Sequence, residues 1–375
     1  MTEKVSMSSA ELSEADIEAV LDVLRSGRLA LGPKAREFED EIAQYIGTRH
    51  AVAVSSGTSA LHVIVKALEF AQGDEVLVPS FTFASSVNVL LYEGVSPVFV
   101  DIESDIYNIC PDDLESKITL RTRGIMVVDI FGHPVDWGRI EGIAARHKLK
   151  IIDDSCEALG AEYGTRKTGQ FGDAAAFAFY PNKQITTGEG GMIVTDDDEI
   201  AKLARSLRNQ GRGEMGAWLE HERLGFNYRL DEMSAALGIS QLRRLEQFVS
   251  DREKVASSYT QRIQGLKYVE PPVVRPDVRK SWFVYVVKLN HGINRDAVIQ
   301  CMAENGIPSR AYFSPIHLQP YILERFPDHS SSLPVTMDVS RRTLALPFHN
   351  QLKESEIDRV VQALEEALER SKLWP

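Results

Sequence analysis

The chain has 375 residues, 43% of them hydrophobic and 26% charged, and a formal net charge of −12. The length suggests roughly two to three domains, and the composition is that of an ordinary globular protein. The acidity, spread along the chain without basic blocks, argues against nucleic acid as a partner. No apolar run reaches the ~18 residues of a membrane span, and the N-terminus has no leader pattern. The three cysteines, Cys110, Cys156 and Cys301, fit no metal spacing and are typical of a reducing compartment, so we expect a cytoplasmic protein.

Helical and strand-like patterns alternate through the first half of the chain. The spacing of apolar residues predicts helices at 13–25, 33–46, 60–68, 139–147 and 199–208. Short apolar runs predict strands at 51–54, 75–78, 95–100, 124–131, 150–152, 174–179 and 192–194. This alternation predicts a largely parallel sheet that is covered by helices on both faces.

The last third of the chain has a different pattern of predicted elements. A polar, glycine-containing loop at 210–222, predicted to be mobile, precedes a long helix predicted at 232–263. Beyond it we expect strands at 282–289, 307–312 and 343–346, helices at 295–305 and 353–368, and a polar linker at 328–332. We therefore predict a large domain of residues 1–245 and a smaller C-terminal α/β domain of residues 246–375.

One lysine has an unusual position. Lys183 follows the predicted strand at 174–179 and enters a close-packed turn that contains Gly188, Gly190 and Gly191. A lysine held between a strand end and such a turn is not expected to move freely. The ordinary alternative is an exposed loop lysine.

A turn of small residues, 55–59, lies between a predicted strand and a predicted helix. Free backbone N–H groups and the helix dipole favour a phosphate at such a turn, although Ser or Thr there can also simply cap the helix. In parallel sheets, ligands bind beyond the carboxyl ends of the strands. Residues 56–59 and 81–83, Asp154 and Lys183 all lie at such ends, so we expect them to form one site.

These residue types match the needs of pyridoxal phosphate. A lysine amine condenses with the aldehyde to form a Schiff base, and a carboxylate against the ring nitrogen keeps that nitrogen protonated. Asp154 can supply this carboxylate, although a loop or capping acid is its ordinary interpretation. Gly57, Thr58 and Ser59 can hold the phosphate. Phe83 or Phe81 can stack on the ring, with a core position as the alternative.

The whole pattern resembles the DegT/DnrJ-type nucleotide-sugar aminotransferases, a family of pyridoxal-phosphate enzymes with the aspartate aminotransferase fold. The resemblance covers nearly the whole chain, and the lysine motif with its glycines is its most specific part. The matching stretches are residues 28–34, 53–61, 73–83, 153–160, 182–191 and 225–231.

The resemblance implies the fold and the site. It implies an α/β fold with a three-layer αβα large domain, a mostly parallel sheet (fold type I) and a smaller C-terminal domain. Lys183 is then the Schiff-base lysine that also moves the proton, and Asp154 pairs with the pyridinium nitrogen. The other implied cofactor contacts are Gly57, Thr58, Ser59, Phe83 and Glu157.

The resemblance also implies partners. Asn227 or Arg229 would reach a second subunit's cofactor phosphate, which makes the active unit a homodimer with composite sites. Glu189 and His317 would line the sugar side. The implied substrates are L-glutamate and a nucleotide-linked keto-sugar.

One position departs from the family pattern. Many relatives have a phosphate-binding serine five residues before the lysine, where this chain has Ala178, so Asn182 or Arg229 is a candidate replacement. The presence of Lys183, where some relatives carry histidine and act as dehydratases, favours transamination. The motif around Glu157 is more similar to that of members that aminate C4 of 4-keto-6-deoxy sugars than to that of members acting at C3.

Three alternatives stay open at this point. The first is another pyridoxal-phosphate activity, such as amination of a keto-cyclitol or a dehydration. The second is a regulatory protein that keeps the fold without catalysis. The third, a nicotinamide dehydrogenase, is weak because no Gly-x-Gly-x-x-Gly follows the first strand.

Overall fold

The computed structural model of the protein describes residues 5–213, 220–326 and 332–372. The helices are Glu14–Ser26 (α1), Pro33–Ile46 (α2), Gly57–Ala67 (α3), Ser85–Tyr92 (α4), Pro111–Ser116 (α5), Trp137–His147 (α6), Asp198–Arg208 (α7), Glu232–Leu242 (α8), Leu245–Ile263 (α9), Arg295–Glu304 (α10), Pro320–Arg325 (α11), Pro334–Arg342 (α12) and Glu354–Arg370 (α13). The strands are His50–Val54 (β1), Glu75–Pro79 (β2), Ser96–Val100 (β3), Thr122–Val128 (β4), Lys150–Asp154 (β5), Glu162–Tyr163 (β6), Arg166–Lys167 (β7), Ala174–Ala178 (β8), Gly191–Thr195 (β9), Val269–Glu270 (β10), Val278–Arg279 (β11), Tyr285–Leu289 (β12) and Thr343–Leu346 (β13).

The central sheet has seven strands in the order β1-β9-β8-β5-β4-β2-β3. The pairs from β8 to β3 are all parallel, whereas β9 runs antiparallel to both β1 and β8. A parallel connection needs a long crossover, and only the short segment around Lys183 joins β8 to β9. The lysine therefore lies in the hairpin loop that reverses the chain at the carboxyl end of β8.

The sheet is buried on both faces, as the alternation of elements predicted. Val52 and Val54 of β1 pack into one core cluster with residues of α3, α4 and α7. Ala51 and Ala53, the alternate residues of the same strand, pack into a second cluster with residues of α2, α8 and α9. Because successive strand residues point to opposite faces, this arrangement makes three layers, helix–sheet–helix.

A second, antiparallel sheet of three strands, β10-β12-β13, has a separate core cluster built mainly from residues 255–368. Helix α9 contributes to both cores: Leu245 and Phe248 pack in the first, and Val255 and Tyr259 in the second. The proposed domain boundary after residue 245 coincides with the start of this shared helix and stays a prediction.

Two sequence-based expectations were wrong. The long helix predicted at 232–263 is interrupted, because α8 ends at Leu242 and α9 begins at Leu245. Arg244, in the break, pairs with Glu11 and Asp16 of the N-terminal region, a long-range contact that local spacing does not reveal. The strand predicted at 307–312 is only a single bridge, Arg310 with Ala345, and Pro308 has no N–H to extend a ladder.

Some predicted segments fall outside the described residues. This applies to residues 214–219 of the loop predicted to be mobile and to 328–331 of the predicted linker. The flanks of that loop are joined by a bridge between Arg212 and His221. Among the residues that the structure describes, no helix is long and apolar enough to cross a membrane.

Candidate active site

A cavity of about 430 Å³ opens at the carboxyl ends of β5 and β8 and at the start of α3. It brings together Lys183, Asp154, Gly57 and Thr58, which come from three separate parts of the chain. Its further lining residues include Ser56, Phe83, Cys156, Glu157, Ala178, Tyr180, Asn182, Glu189, Phe283, Tyr312 and Phe313. The strand order explains this convergence, since the carboxyl ends of neighbouring parallel strands meet at one edge of the sheet.

Lys183 is held by the hairpin loop, with only 13% of its side chain exposed. Its backbone N–H donates to the Tyr180 carbonyl at 2.9 Å. The side-chain Nζ lies 3.9 Å from the centre of the Phe283 ring and 3.7 Å from Glu157 Oε1. The amine is thus directed into the cavity and is contacted by a ring face and a carboxylate.

Glu157 is buried beside Lys183. Its Oε2 accepts a hydrogen bond from the Phe131 backbone N–H at 2.9 Å. Burial raises the pKa of this carboxyl, and the nearby lysine opposes the rise. Glu157 can therefore pair with the lysine ammonium or take up a proton within the site.

Asp154 ends β5 and presents its carboxyl to the cavity. Its Oδ2 accepts a hydrogen bond of 2.6 Å from the buried Ser86 hydroxyl, and its Oδ1 one of 3.3 Å from the Cys156 backbone N–H. Thr82 is in turn 2.9 Å from the Ser86 oxygen. These contacts fix the plane of the carboxylate. Sequence reasoning missed Ser86, because nothing local connects a serine of α4 with a strand end 68 positions away.

Two further buried carboxyls, those of Asp129 and Asp153, lie next to Asp154. The Ser155 hydroxyl is 2.9 Å from both Asp129 Oδ2 and Asp153 Oδ1. A hydroxyl has a single proton to donate, so the two carboxyls share one donor. Burial raises the pKa of both groups, that of Asp129 to about 7. Protonation of this pair limits the negative charge buried beside Asp154.

The start of α3 packs very closely on β8. A Cβ at Gly57 would lie 2.7 Å from Ala178 Cβ and 2.9 Å from Cys156 Sγ, so a side chain would displace the turn. Thr58 lines the cavity, with its hydroxyl 2.8 Å from that of Ser85. Ser59 does not line it, and its hydroxyl contacts those of Ser55 and Ser56 at 3.1 and 2.8 Å. Ser56 caps the helix by accepting from the Ser59 N–H, so the capping alternative also holds.

The structure separates the two candidate stacking residues, Phe83 and Phe81. Phe83 is 62% exposed and lines the cavity, whereas Phe81 is fully buried in the core. Phe83 is therefore the available stacking residue. Glu189 and Asn182 also line the cavity, and Asn182 Oδ1 is buried with no hydrogen-bond partner among the described residues. An unpartnered acceptor there fits a ligand that donates a hydrogen bond.

Besides Ser59, three predicted residues lie outside this cavity. His317 is buried, with Nδ1 2.6 Å from the Ser80 hydroxyl, and its contact with the sugar finds no support in this position. Arg229 donates to Asn209 Oδ1 at 2.9 Å and lines a separate cavity of about 250 Å³ with Arg205 and Arg212. Asn227 forms a bridge with Asn209. The role of Asn227 or Arg229 in a partner subunit's site stays a prediction.

Comparison with known proteins identifies the family. The model of the DegT/DnrJ/EryC1/StrS aminotransferase family matches residues 10–365. The chain belongs to this family. GDP-perosamine synthase of Caulobacter vibrioides is 38% identical over 370 residues, which cover 97% of this chain and 98% of that protein.

Solved structures agree with this assignment. PseC of Helicobacter pylori, an aminotransferase involved in pseudoaminic acid biosynthesis, superposes with a TM-score of 0.94 at 29% identity, covering 98% of this chain and all of the other. Spr1654 of Streptococcus pneumoniae, solved in its PLP form, has a TM-score of 0.93 at 27% identity and covers 98% and 99% of the two chains. The predicted fold class is confirmed.

The cavity of this aminotransferase fits pyridoxal 5′-phosphate, the cofactor of the family. Gly57 and Thr58 at the start of α3 can hold the phosphate, because the absence of a Cβ at Gly57 permits close approach and helix starts favour anions. Asp154 can face the ring nitrogen, and Lys183 can bind the aldehyde carbon. Ala178, where the sequence departs from the family pattern, lines the cavity and has no hydroxyl to offer the phosphate.

Proposed function

We propose that this aminotransferase moves an amino group from L-glutamate to C4 of a nucleotide-linked 4-keto-6-deoxyhexose. The observation that carries the proposal is the convergence of Lys183, Asp154 and the Gly57–Thr58 turn on one cavity. The names of the relatives support a sugar acceptor: one makes GDP-perosamine, and another acts in spore coat polysaccharide biosynthesis in Bacillus subtilis at 35% identity. The product would then be a nucleotide-linked amino sugar.

Each residue has a distinct task in this proposal. Lys183 would hold the cofactor through its amine, and the freed amine could then move a proton at the substrate carbon. Asp154, oriented by Ser86, would keep the ring nitrogen of a bound cofactor protonated. When bound, the cofactor supplies an electron sink and carries the amino group between the two half-reactions. Glutamate takes up the oxygen of a water molecule and leaves as 2-oxoglutarate; the ketone carbon of the sugar receives the nitrogen, and its oxygen leaves as water.

The sugar side of the cavity is supported by its lining. Tyr180, Phe283, Tyr312 and Phe313 line the cavity together with Lys183, and Glu189 adds a carboxylate to the lining. Aromatic side chains in such a cavity can exclude water and contact the apolar face of a sugar ring. The Glu189 carboxylate can accept a hydrogen bond from a sugar hydroxyl. We propose Glu189 as a sugar-binding residue on this basis.

The first experiment tests the cofactor lysine. Lys183→Ala should remove both turnover and the cofactor that borohydride reduction fixes to the protein, because no other amine occupies that position in the described cavity. Lys202→Ala, an exposed lysine on α7, is the matched control and should behave as the wild type. Peptide mapping by mass spectrometry locates the reduced adduct. Full turnover by the Lys183 variant would overturn the proposal.

The second experiment tests the acceptor. A panel of nucleotide-linked 3-keto and 4-keto sugars and of keto-cyclitols is incubated with glutamate, and the products are identified by NMR. Amination of the 4-keto-6-deoxy sugar with the highest kcat/KM is the expected result. A preference for a 3-keto sugar or a cyclitol would leave the aminotransferase assignment intact and reject the C4 proposal.

A further inference from the structure

Arg252 of α9 is a buried cation next to the hairpin loop that holds Lys183. The residue is only 3% exposed. Nη2 donates to the backbone carbonyl of Lys183 at 3.0 Å. Nη1 donates to the carbonyls of Trp282 at 3.0 Å and Phe283 at 3.2 Å. One guanidinium therefore joins the hairpin loop of the central sheet to the segment that leads into β12.

The charge of Arg252 has no carboxylate partner among the described residues. Burial lowers the pKa of its guanidinium to about 10, so the group remains charged at neutral pH. Backbone carbonyl dipoles provide its polar contacts, and its Nε is buried without a partner. Burying such a charge costs free energy that an apolar side chain of similar volume would not cost. Stability alone therefore does not account for an arginine here.

The two backbones that Arg252 joins carry side chains that touch each other. Lys183 Nζ lies 3.9 Å from the centre of the Phe283 ring. The fork geometry of a guanidinium sets the distance between its acceptor carbonyls. The guanidinium therefore constrains the two backbones from which the Lys183 amine and the Phe283 ring project. A lysine at position 252 keeps the charge but lacks the planar fork.

We propose that Arg252 is a positioning residue for Lys183, acting through the carbonyls of Lys183 and Phe283. The inference rests on the proposed function in that Lys183 is taken as the cofactor lysine. Arg252 does not line the cavity, and it contacts Lys183 at the backbone carbonyl. Its effect is confined to where the amine is held.

The test compares Arg252→Met and Arg252→Lys with the wild type. The control is Arg262→Met, which removes an arginine of the same helix that pairs on the surface with Glu354 and Asp358. For each protein we would measure the rate at which the apoprotein takes up pyridoxal phosphate, the pH midpoint of the visible absorbance band, kcat and KM. Unfolding in urea separates these effects from stability.

Both Arg252 variants should take up the cofactor about tenfold or more slowly and lose kcat to a similar degree, because small misplacement of a reacting group is costly. KM for the sugar should be nearly unchanged, the band midpoint should move, and the Arg262 variant should match the wild type. If Arg252→Met does not fold, the comparison of Arg252→Lys with the wild type tests the positioning role.

Two outcomes distinguish a failure of the proposed function from a failure of the positioning role. If borohydride fixes no cofactor to Lys183 in the wild type, the proposed function fails. If it does, but the Arg252 variants keep the wild-type uptake rate and band midpoint, the positioning role is overturned. Reduced stability with an unchanged band and uptake rate also overturns it, because that pattern describes a purely structural arginine.

Discussion

Single residues of the site depend on partners that are distant in the chain. Asp154 is oriented by Ser86, and Glu157 by the backbone N–H of Phe131. Both acceptors are buried, where an unmade hydrogen bond is expensive. The orientation of each carboxylate in this site therefore depends on the hydrogen-bond donor that contacts it.

Ser86→Ala is expected to lower stability by about 1–3 kcal/mol, since it leaves one oxygen of a buried carboxylate without its donor. It should also weaken retention of pyridoxal phosphate, because the orientation of Asp154 is loosened. Urea unfolding and cofactor titration measure the two effects. Ser116→Ala, which removes an exposed hydroxyl bonded to the Asp113 carbonyl, should change stability by less than about 0.5 kcal/mol. Equal effects of the two substitutions would contradict the role of Ser86.

At the scale of secondary-structure elements, the phosphate turn is defined by how closely α3 approaches β8. Gly57 is in contact with Ala178 and Cys156 without room for a side chain. A larger residue at 178 would crowd the same space. Ala178, at the position where the sequence departs from the family pattern, has the side chain nearest to a Cβ added at Gly57.

Gly57→Ala should destabilise the fold by about 1–3 kcal/mol, because overpacking at a tight contact forces backbone shifts. It should also raise the dissociation constant for pyridoxal phosphate. Adding Ala178→Gly removes the nearest clashing atom and should restore part of both losses.

The matched control is Gly142→Ala in the middle of α6. Its added Cβ would meet only the end of Arg146 at 3.6 Å, so the change should be neutral or stabilise by up to about 1 kcal/mol. Urea unfolding of the four proteins measures these differences. A Gly57 variant that binds cofactor like the wild type would show that the close approach is not needed.

At the scale of the whole molecule, Asn227 and Arg229 lie away from the cavity of their own chain. Arg229, with Arg205 and Arg212, lines a second cavity in which no carboxylate occurs among the described lining residues. Such a cationic surface fits the phosphate of a neighbouring subunit's cofactor. We propose that the active unit is a homodimer with composite sites.

Mixing Lys183→Ala with Arg229→Ala tests this arrangement, provided that each variant alone is inactive. Random exchange makes half of the dimers mixed, and one of the two sites in each mixed dimer is intact. Activity should therefore return to about one quarter of the wild-type value. Mixing Lys183→Ala with Lys183→Gln is the control and should restore nothing. No recovery in the first mixture would count against shared sites.

Much of this protein follows from local patterns in its sequence. The strand–turn–helix signal around Gly57, the strand end and glycine turn around Lys183, and the alternation of strands and helices predicted a largely parallel sheet and the edge at which the site lies. Parallel strands deliver their carboxyl ends to one edge, so Lys183, Asp154 and Gly57 could be placed together without a structure.

Other features were decided only by tertiary packing. The hydrogen bond from Ser86, the ring of Phe283 under Lys183, the break at Arg244 and the burial of His317 all depend on elements far apart in the chain. Local spacing carries periodicity and caps, but it does not carry the angle at which distant elements pack. The sequence by itself therefore determined the kind of site and its edge of the sheet, and the tertiary structure decided which side chains hold it in place.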